Sequence, residues 1–136
     1  MRPIELKIKG INSYREEQVI NFNQLTSQGF FGIFGPTGSG KSTILDAITL
    51  ALYAKLPRGS KNFININETS ASVSFRFSIT TTETKEYLVE RSFRYPGKDR
   101  SSTARNTTAR LSLLSDIDTE VLADKPTDVT RSCIDL

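Results

Sequence analysis

The chain has 136 residues, 37% apolar and 24% charged, with a net charge of +3. That suits one domain or part of a larger one, and so mild a positive balance does not by itself indicate nucleic acid. It has no histidine and one cysteine, Cys133, which excludes Ser-His-Asp and Cys-His catalysis, imidazole metal sites and an internal disulfide within this chain.

In chain order, Met1 to Lys7 alternates in charge, lacking the apolar run of a signal peptide, and no later stretch reaches membrane-spanning length. A soluble cytoplasmic protein is expected. Ile4, Leu6 and Ile8 alternate with Glu5, Lys7 and Lys9, the period of a half-buried strand. Gly10 to Tyr14 reads as a turn or loop, and Gln18 to Phe22 as a second strand pairing antiparallel with the first. Phe30 to Phe34 is apolar on both faces, as a central strand covered on two sides should be.

Gly35-Pro36-Thr37-Gly38-Ser39-Gly40-Lys41-Ser42 then fits G-x-x-x-x-G-K-[ST] without a mismatch. Glycines let the backbone pass close to a ligand, successive N–H groups form an anion nest, and a helix start adds partial positive charge. In this pattern Lys41 would reach the β- and γ-phosphates of a nucleoside triphosphate, Ser42 would ligate Mg²⁺, and Thr43 could donate to the α-phosphate. A Gly/Ser loop can match such a pattern by chance. Here an apolar run precedes it and an amphipathic run follows, the context the motif requires.

Ile44, Leu45, Ile48, Ala51 and Leu52 share a helical face, with Pro57-Arg58-Gly59 as the stop. Gly59 to Thr69 reads as a loop anchored by Phe63, Ile64 and Ile66. Ala71, Val73, Phe75 and Phe77 alternate with polar residues, and Glu86 to Arg94 is the hairpin partner. Tyr95 to Thr108 is a polar hairpin loop, Ala109 to Leu114 and Glu120 to Leu122 are further strands, and a helix starts near Pro126 with Asp124 as its N-cap. The expected fold is α/β: a P-loop NTPase lobe with a mixed sheet around the P-loop helix and an antiparallel β-meander.

Hydrolysis also needs an acid for the metal and a group to orient water. No apolar run followed by Asp-Glu appears after the P-loop. Asp116 follows a half-alternating run and reads as a solvated turn carboxylate. No catalytic residue is assigned within the chain, which therefore holds half of an active site.

The strand, Asn-Ser-Tyr loop, strand, apolar strand and P-loop come in that order. Leu45-Asp46-Ala47-Ile48 to Ala51-Leu52-Tyr53 follows, then Val121-Leu122-Ala123-Asp124-Lys125. The whole resembles the N-terminal part of SbcC-type exonuclease subunits and their double-strand-break-repair counterparts, relatives of SMC proteins. The resemblance implies an ABC-type ATPase head split by a coiled coil. Residues 1–136 would be most of its N-terminal lobe, ending before the Q-loop. It further implies ATP and Mg²⁺ as ligands. The implied partners are an SbcD-like nuclease subunit, the C-terminal lobe of the same chain, a second ATPase head and DNA, with no membrane.

In that family the loop after the first strand contacts nucleotide; here it holds Asn12 and Ser13. Some relatives carry Arg where this chain has Asn12, and asparagine also suits a plain turn. The loop Asn65-Ile66-Asn67-Glu68 lies in a region that approaches nucleotide in relatives. Lys98, Arg100 and Arg105, with Arg110 beyond, are candidates for DNA phosphates, or a solvated loop. The alternatives are a RecF- or RecN-like DNA-repair ATPase, a self-contained P-loop small-molecule kinase, or a phosphate-binding module without turnover. Ala123-Asp124-Lys125 favours the SbcC type, and a kinase would need its own metal acid.

Overall fold

The computed structural model describes residues 1–22, 39–56, 63–96 and 103–136. The expected apolar strand 30–34, the loop Gly35 to Gly38 and the stop Pro57 to Gly59 lie outside the described residues. So does the test of whether the sheet is mixed.

The strands are β1 (Arg2–Lys9), β2 (Gln18–Asn21), β3 (Ser70–Thr80), β4 (Thr84–Arg94), β5 (Arg105–Leu114) and β6 (Thr119–Ala123). The helices are α1 (Ser39–Tyr53) and α2 (Pro126–Asp135). The strands form one six-stranded sheet in the order β2-β1-β3-β4-β5-β6, antiparallel at every pairing. From β3 onward each strand pairs with the next in sequence, the expected meander.

Alternation in the sequence becomes two chemically different sheet faces. Leu6 and Ile8 point inward from β1, Val73, Phe75 and Phe77 from β3, and Val89 and Phe93 from β4. Phe75 stacks on Phe77 at 5.3 Å, and Phe77 on its cross-strand partner Tyr87 at 5.6 Å. Such pairs add roughly 0.5–1.5 kcal/mol beyond the area they bury. The outward face is polar, and one row across it reads Lys7, Ser74, Glu90, Arg110.

α1 lies on the inward face against β3 and β4, and α2 packs on β5, β6 and α1. The buried face of α1 carries Ala47, Leu50, Ala51 and Leu52, while Leu45, expected inside, is 52% exposed. Alanines let the helix backbone approach the sheet, and a reading by hydropathy favours the larger Leu45 instead. α1 ends at Tyr53, ahead of the expected Pro-Arg-Gly stop. Ala54 turns into the left-handed region at φ 61° and its N–H donates to the Leu50 carbonyl at 2.9 Å.

Three further expectations are corrected. Ile66 is 82% exposed, and only Phe63 and Ile64 anchor their loop, Phe63 edge-to-face against Phe93 at 5.1 Å. The N-cap of α2 is Lys125 rather than Asp124, with no side-chain capping bond; Pro126 opens the helix as expected. β5 starts at Arg105 inside the stretch read as a loop, because Arg105 and Asn106 continue the ladder opposite Arg94 and Phe93.

Candidate nucleotide-binding site

The site begins with a turn. Gly10 ends β1 at φ 73°, where a Cβ would sit 2.6 Å from the Ser70 carbonyl oxygen. Only glycine fits both the sign of φ and that approach. The chain then doubles back through paired bonds between Ile11 and Tyr14, with Asn12 between them at φ 51°, a conformation asparagine tolerates better than most residues.

A second loop zips onto this turn. The Asn12 N–H donates to the Phe63 carbonyl at 2.7 Å, and the Asn65 N–H donates to the Gly10 carbonyl at 2.8 Å. The Asn65 amide reaches back to the Asn12 carbonyl at 2.7 Å, and its oxygen accepts from the Asn67 N–H at 2.9 Å. Arg15 pairs with Glu68 at 2.7 Å across the same two loops. Asn12 is therefore held from both sides, and its Nδ2 donates to the Thr43 hydroxyl at 3.4 Å.

That bond brings together two parts of the expected site that are 31 residues apart in sequence. Ser39, Gly40, Lys41 and Ser42 form the first turn of α1, and Thr43 behind them is 3% exposed. The first turn carries no acidic residue. A helix start presents N–H groups and the positive end of its dipole, and this one meets no carboxylate from its own first turn, as suits an anion site. Ser13 is exposed at the tip of the neighbouring turn. Gly35, Pro36, Thr37 and Gly38 lie outside the described residues, as do Lys98 and Arg100. Arg105 is exposed at the start of β5, directly opposite Arg94, and Arg110 stands opposite Glu90. Among the described residues no group of three His, Cys, Asp or Glu side chains is placed to hold a metal ion, and no helix is long and apolar enough to cross a membrane.

The other end of α1 holds a residue that the sequence did not single out. Arg91 is 1% exposed, on the inward face of β4. All five of its N–H donors are used. Nε donates to the Ala51 carbonyl at 2.6 Å and Nη2 to the Leu52 carbonyl at 3.0 Å, two carbonyls of the last turn of α1. The remaining donors go to Asn106 Oδ1 at 2.7 Å, the Pro126 carbonyl at 3.3 Å and the Thr130 hydroxyl at 3.0 Å. Burial pushes the Arg91 guanidinium below its usual value, opposed by Cys133; burial pushes the Cys133 thiol up, opposed by Arg91. A signal for Arg91 was present: Tyr87, Val89, Arg91 and Phe93 share one strand parity, which puts a cation among apolar residues.

The P-loop helix, its flanking turns and the antiparallel sheet define a nucleotide-binding domain. The model of the AAA domain family matches residues 5–132, and the chain belongs to that family. Over nearly its whole length the chain is similar to SbcC subunits of SbcCD nucleases. It is 49% identical over 133 residues to the SbcC subunit of Clostridium acetobutylicum, covering 98% of this chain and 11% of that protein. It is 48% identical over 134 residues to the SbcC subunit of Bacillus subtilis, covering 96% of this chain and 12% of the relative. A probable DNA double-strand break repair Rad50 ATPase of Aquifex aeolicus is 41% identical over 99 residues, 69% of this chain and 10% of the relative. The chain spans about a tenth of the length of these curated relatives.

Proposed function

We propose that residues 1–136 are the nucleotide-binding part of an SbcC-like ATPase head, which binds ATP with Mg²⁺ and works with a partner nuclease in double-strand-break repair. The observation that carries this reading is the meeting of Asn12 with Thr43 at the start of a helix whose first turn completes the G-x-x-x-x-G-K-S pattern. Within Gly35 to Gly40 every residue but Pro36, which has no N–H, would offer an amide to the phosphates, Lys41 a charge to the β- and γ-phosphates, Ser42 a ligand to Mg²⁺ and Thr43 a donor to the α-phosphate. Asn12 and Ser13 would border the nucleotide from the β1–β2 turn. The bound metal would neutralise charge on the phosphates.

The names of the relatives support the rest. An SbcC subunit of an SbcCD nuclease has a companion in that nuclease, here an SbcD-like protein. A second ATPase head, the C-terminal lobe of the same chain and DNA complete the assembly. The metal acid and the water-orienting group would come from those lobes, since the chain offers no Asp-Glu after an apolar run.

The test is ATP binding and turnover by the full-length protein. Lys41→Ala is expected to weaken ATP binding at least about tenfold, a loss of about 1.4 kcal/mol or more, and to reduce turnover to background. The 136-residue chain alone is expected to show turnover near background. ATP binding unchanged by Lys41→Ala would overturn the assignment, and steady hydrolysis by the short chain would locate an acid within it.

A further inference from the structure

The binding site occupies one end of α1, and Arg91 holds the other. A helix of 15 residues is about 22 Å long and moves nearly as a rigid rod. Its last carbonyls have no partner within the helix. Leu50 gives its carbonyl to the Ala54 N–H, and Arg91 takes those of Ala51 and Leu52. α1 has no basic residue in its own last turn, so the charge that suits the negative end of its dipole comes from β4.

The same guanidinium reaches α2 at the Pro126 carbonyl and the Thr130 hydroxyl, and that hydroxyl donates in turn to the Pro126 carbonyl at 3.0 Å. α2 buries only Val129 and Cys133, so its apolar hold on the sheet is small. Asn106 fixes the direction of the fork: its Oδ1 accepts from Arg91 while its amide donates to the Ser92 carbonyl at 2.8 Å and the Thr108 carbonyl at 2.6 Å. This lies at the register shift between Ser92 and Phe93. An apolar side chain could fill the space that Arg91 occupies. It could not bond two helices at once, and a buried cation with no carboxylate among these partners is a costly way merely to fill space.

We infer that Arg91 is a positioning residue that ties the C-terminal end of the nucleotide-binding helix α1 to the first turn of α2, so that a shift of α1 on ATP binding is carried to α2. The inference rests on the nucleotide reading of the α1 N-terminus. The bonds to Ala51 and Leu52 make Arg91 travel with α1, and the bonds to Pro126 and Thr130 pull α2 with it.

The experiment is amide hydrogen exchange across α2 in the full-length protein, with and without ATP and Mg²⁺, beside ATP affinity measured by titration. In the unsubstituted protein ATP should change exchange at residues 129–133 by about fivefold or more. Thr130→Val keeps the methyl group and loses the hydroxyl; Thr130→Ser keeps the hydroxyl and loses the methyl. The link requires Thr130→Val to lose the α2 response with ATP affinity within about threefold of the unsubstituted protein, and Thr130→Ser to retain it. A packing role predicts the reverse order.

Arg91→Gln, if it folds, should also bind ATP without the α2 response. A Thr130→Val or Arg91→Gln protein that responds fully, or a Thr130→Ser protein that does not, overturns the link. ATP binding by the unsubstituted protein with no change in α2 overturns the link alone. No ATP binding at all overturns the nucleotide reading and the link together.

Discussion

Cys133 gives the most direct residue-scale measurement. It lies on the buried face of α2, 7% exposed, and burial holds its thiol above the usual thiol value against the pull of Arg91. A group whose native pKa is raised contributes stability that is complete below the unfolded pKa and is lost as pH rises through the native one. An unfolded thiol titrates near about 8.5, so the loss starts there. The urea-unfolding midpoint of the unsubstituted chain should therefore fall further between about pH 7.5 and 9.5 than that of Cys133→Ala. Other titrating groups act in both proteins and cancel in the comparison. Parallel slopes would mean that the native thiol ionises as readily as the unfolded one. Cys133 reads from the sequence as a small buried apolar residue. Its nearness to Arg91 does not, because the two are 42 positions apart and only the fold, which packs α2 on β5 and α1, brings them together.

At the scale of elements, the turn after β1 connects fold to site. Its register depends on Gly10, where the obstruction to a Cβ is backbone, the Ser70 oxygen at 2.6 Å and the Ala71 Cα at 3.3 Å. Neither atom can move without moving β3. Gly10→Ala should cost about 2–3 kcal/mol, combining the left-handed penalty with a clash in a packed region, read as a lower unfolding midpoint. It should also weaken ATP binding, since the turn that aims Asn12 at Thr43 would shift. Full stability with full ATP affinity would show that the turn is dispensable. Strand alternation was legible here because half-buried strands write their period into the sequence: β3 and β4 lie where Ala71 to Phe77 and Glu86 to Arg94 place them. The turn's pairing with the 63–68 loop was not legible: its backbone bonds leave no mark in residue type, and its side-chain bonds, Asn65 to the Asn12 carbonyl and Arg15 to Glu68, join residues 53 apart in sequence. On α1 the sequence reading holds for Ala51 and Leu52, with Ile44 and Ile48 partly buried; it departs at Leu45, which faces out, and at Ala47, which packs by being small rather than by being hydrophobic.

For the whole molecule, the question is where a polyanion could lie. The outward sheet face is a poor surface for one. Its row Lys7, Ser74, Glu90, Arg110 places an acid among the bases, and Arg76 pairs with Glu86 at 2.6 Å. The mouth of the β4–β5 hairpin differs, because Arg94 and Arg105 are directly opposed across the strands. Like charges facing each other cost stability unless an anion lies between or near them. Lys98 and Arg100 belong to the segment joining those strands, so the sequence concentrates four bases around one hairpin. In the full-length protein, replacing Lys98, Arg100 and Arg105 together with alanine should weaken DNA binding uniformly across sequences. It should also flatten the plot of log affinity against log salt by roughly 2–3, near one unit for each phosphate no longer neutralised. Arg110→Ala is the control, for its charge already faces Glu90, and it should leave the slope where it is. A triple variant with unchanged affinity and slope would return the hairpin to solvent, and an Arg110→Ala protein with the same loss would move the DNA onto the sheet face.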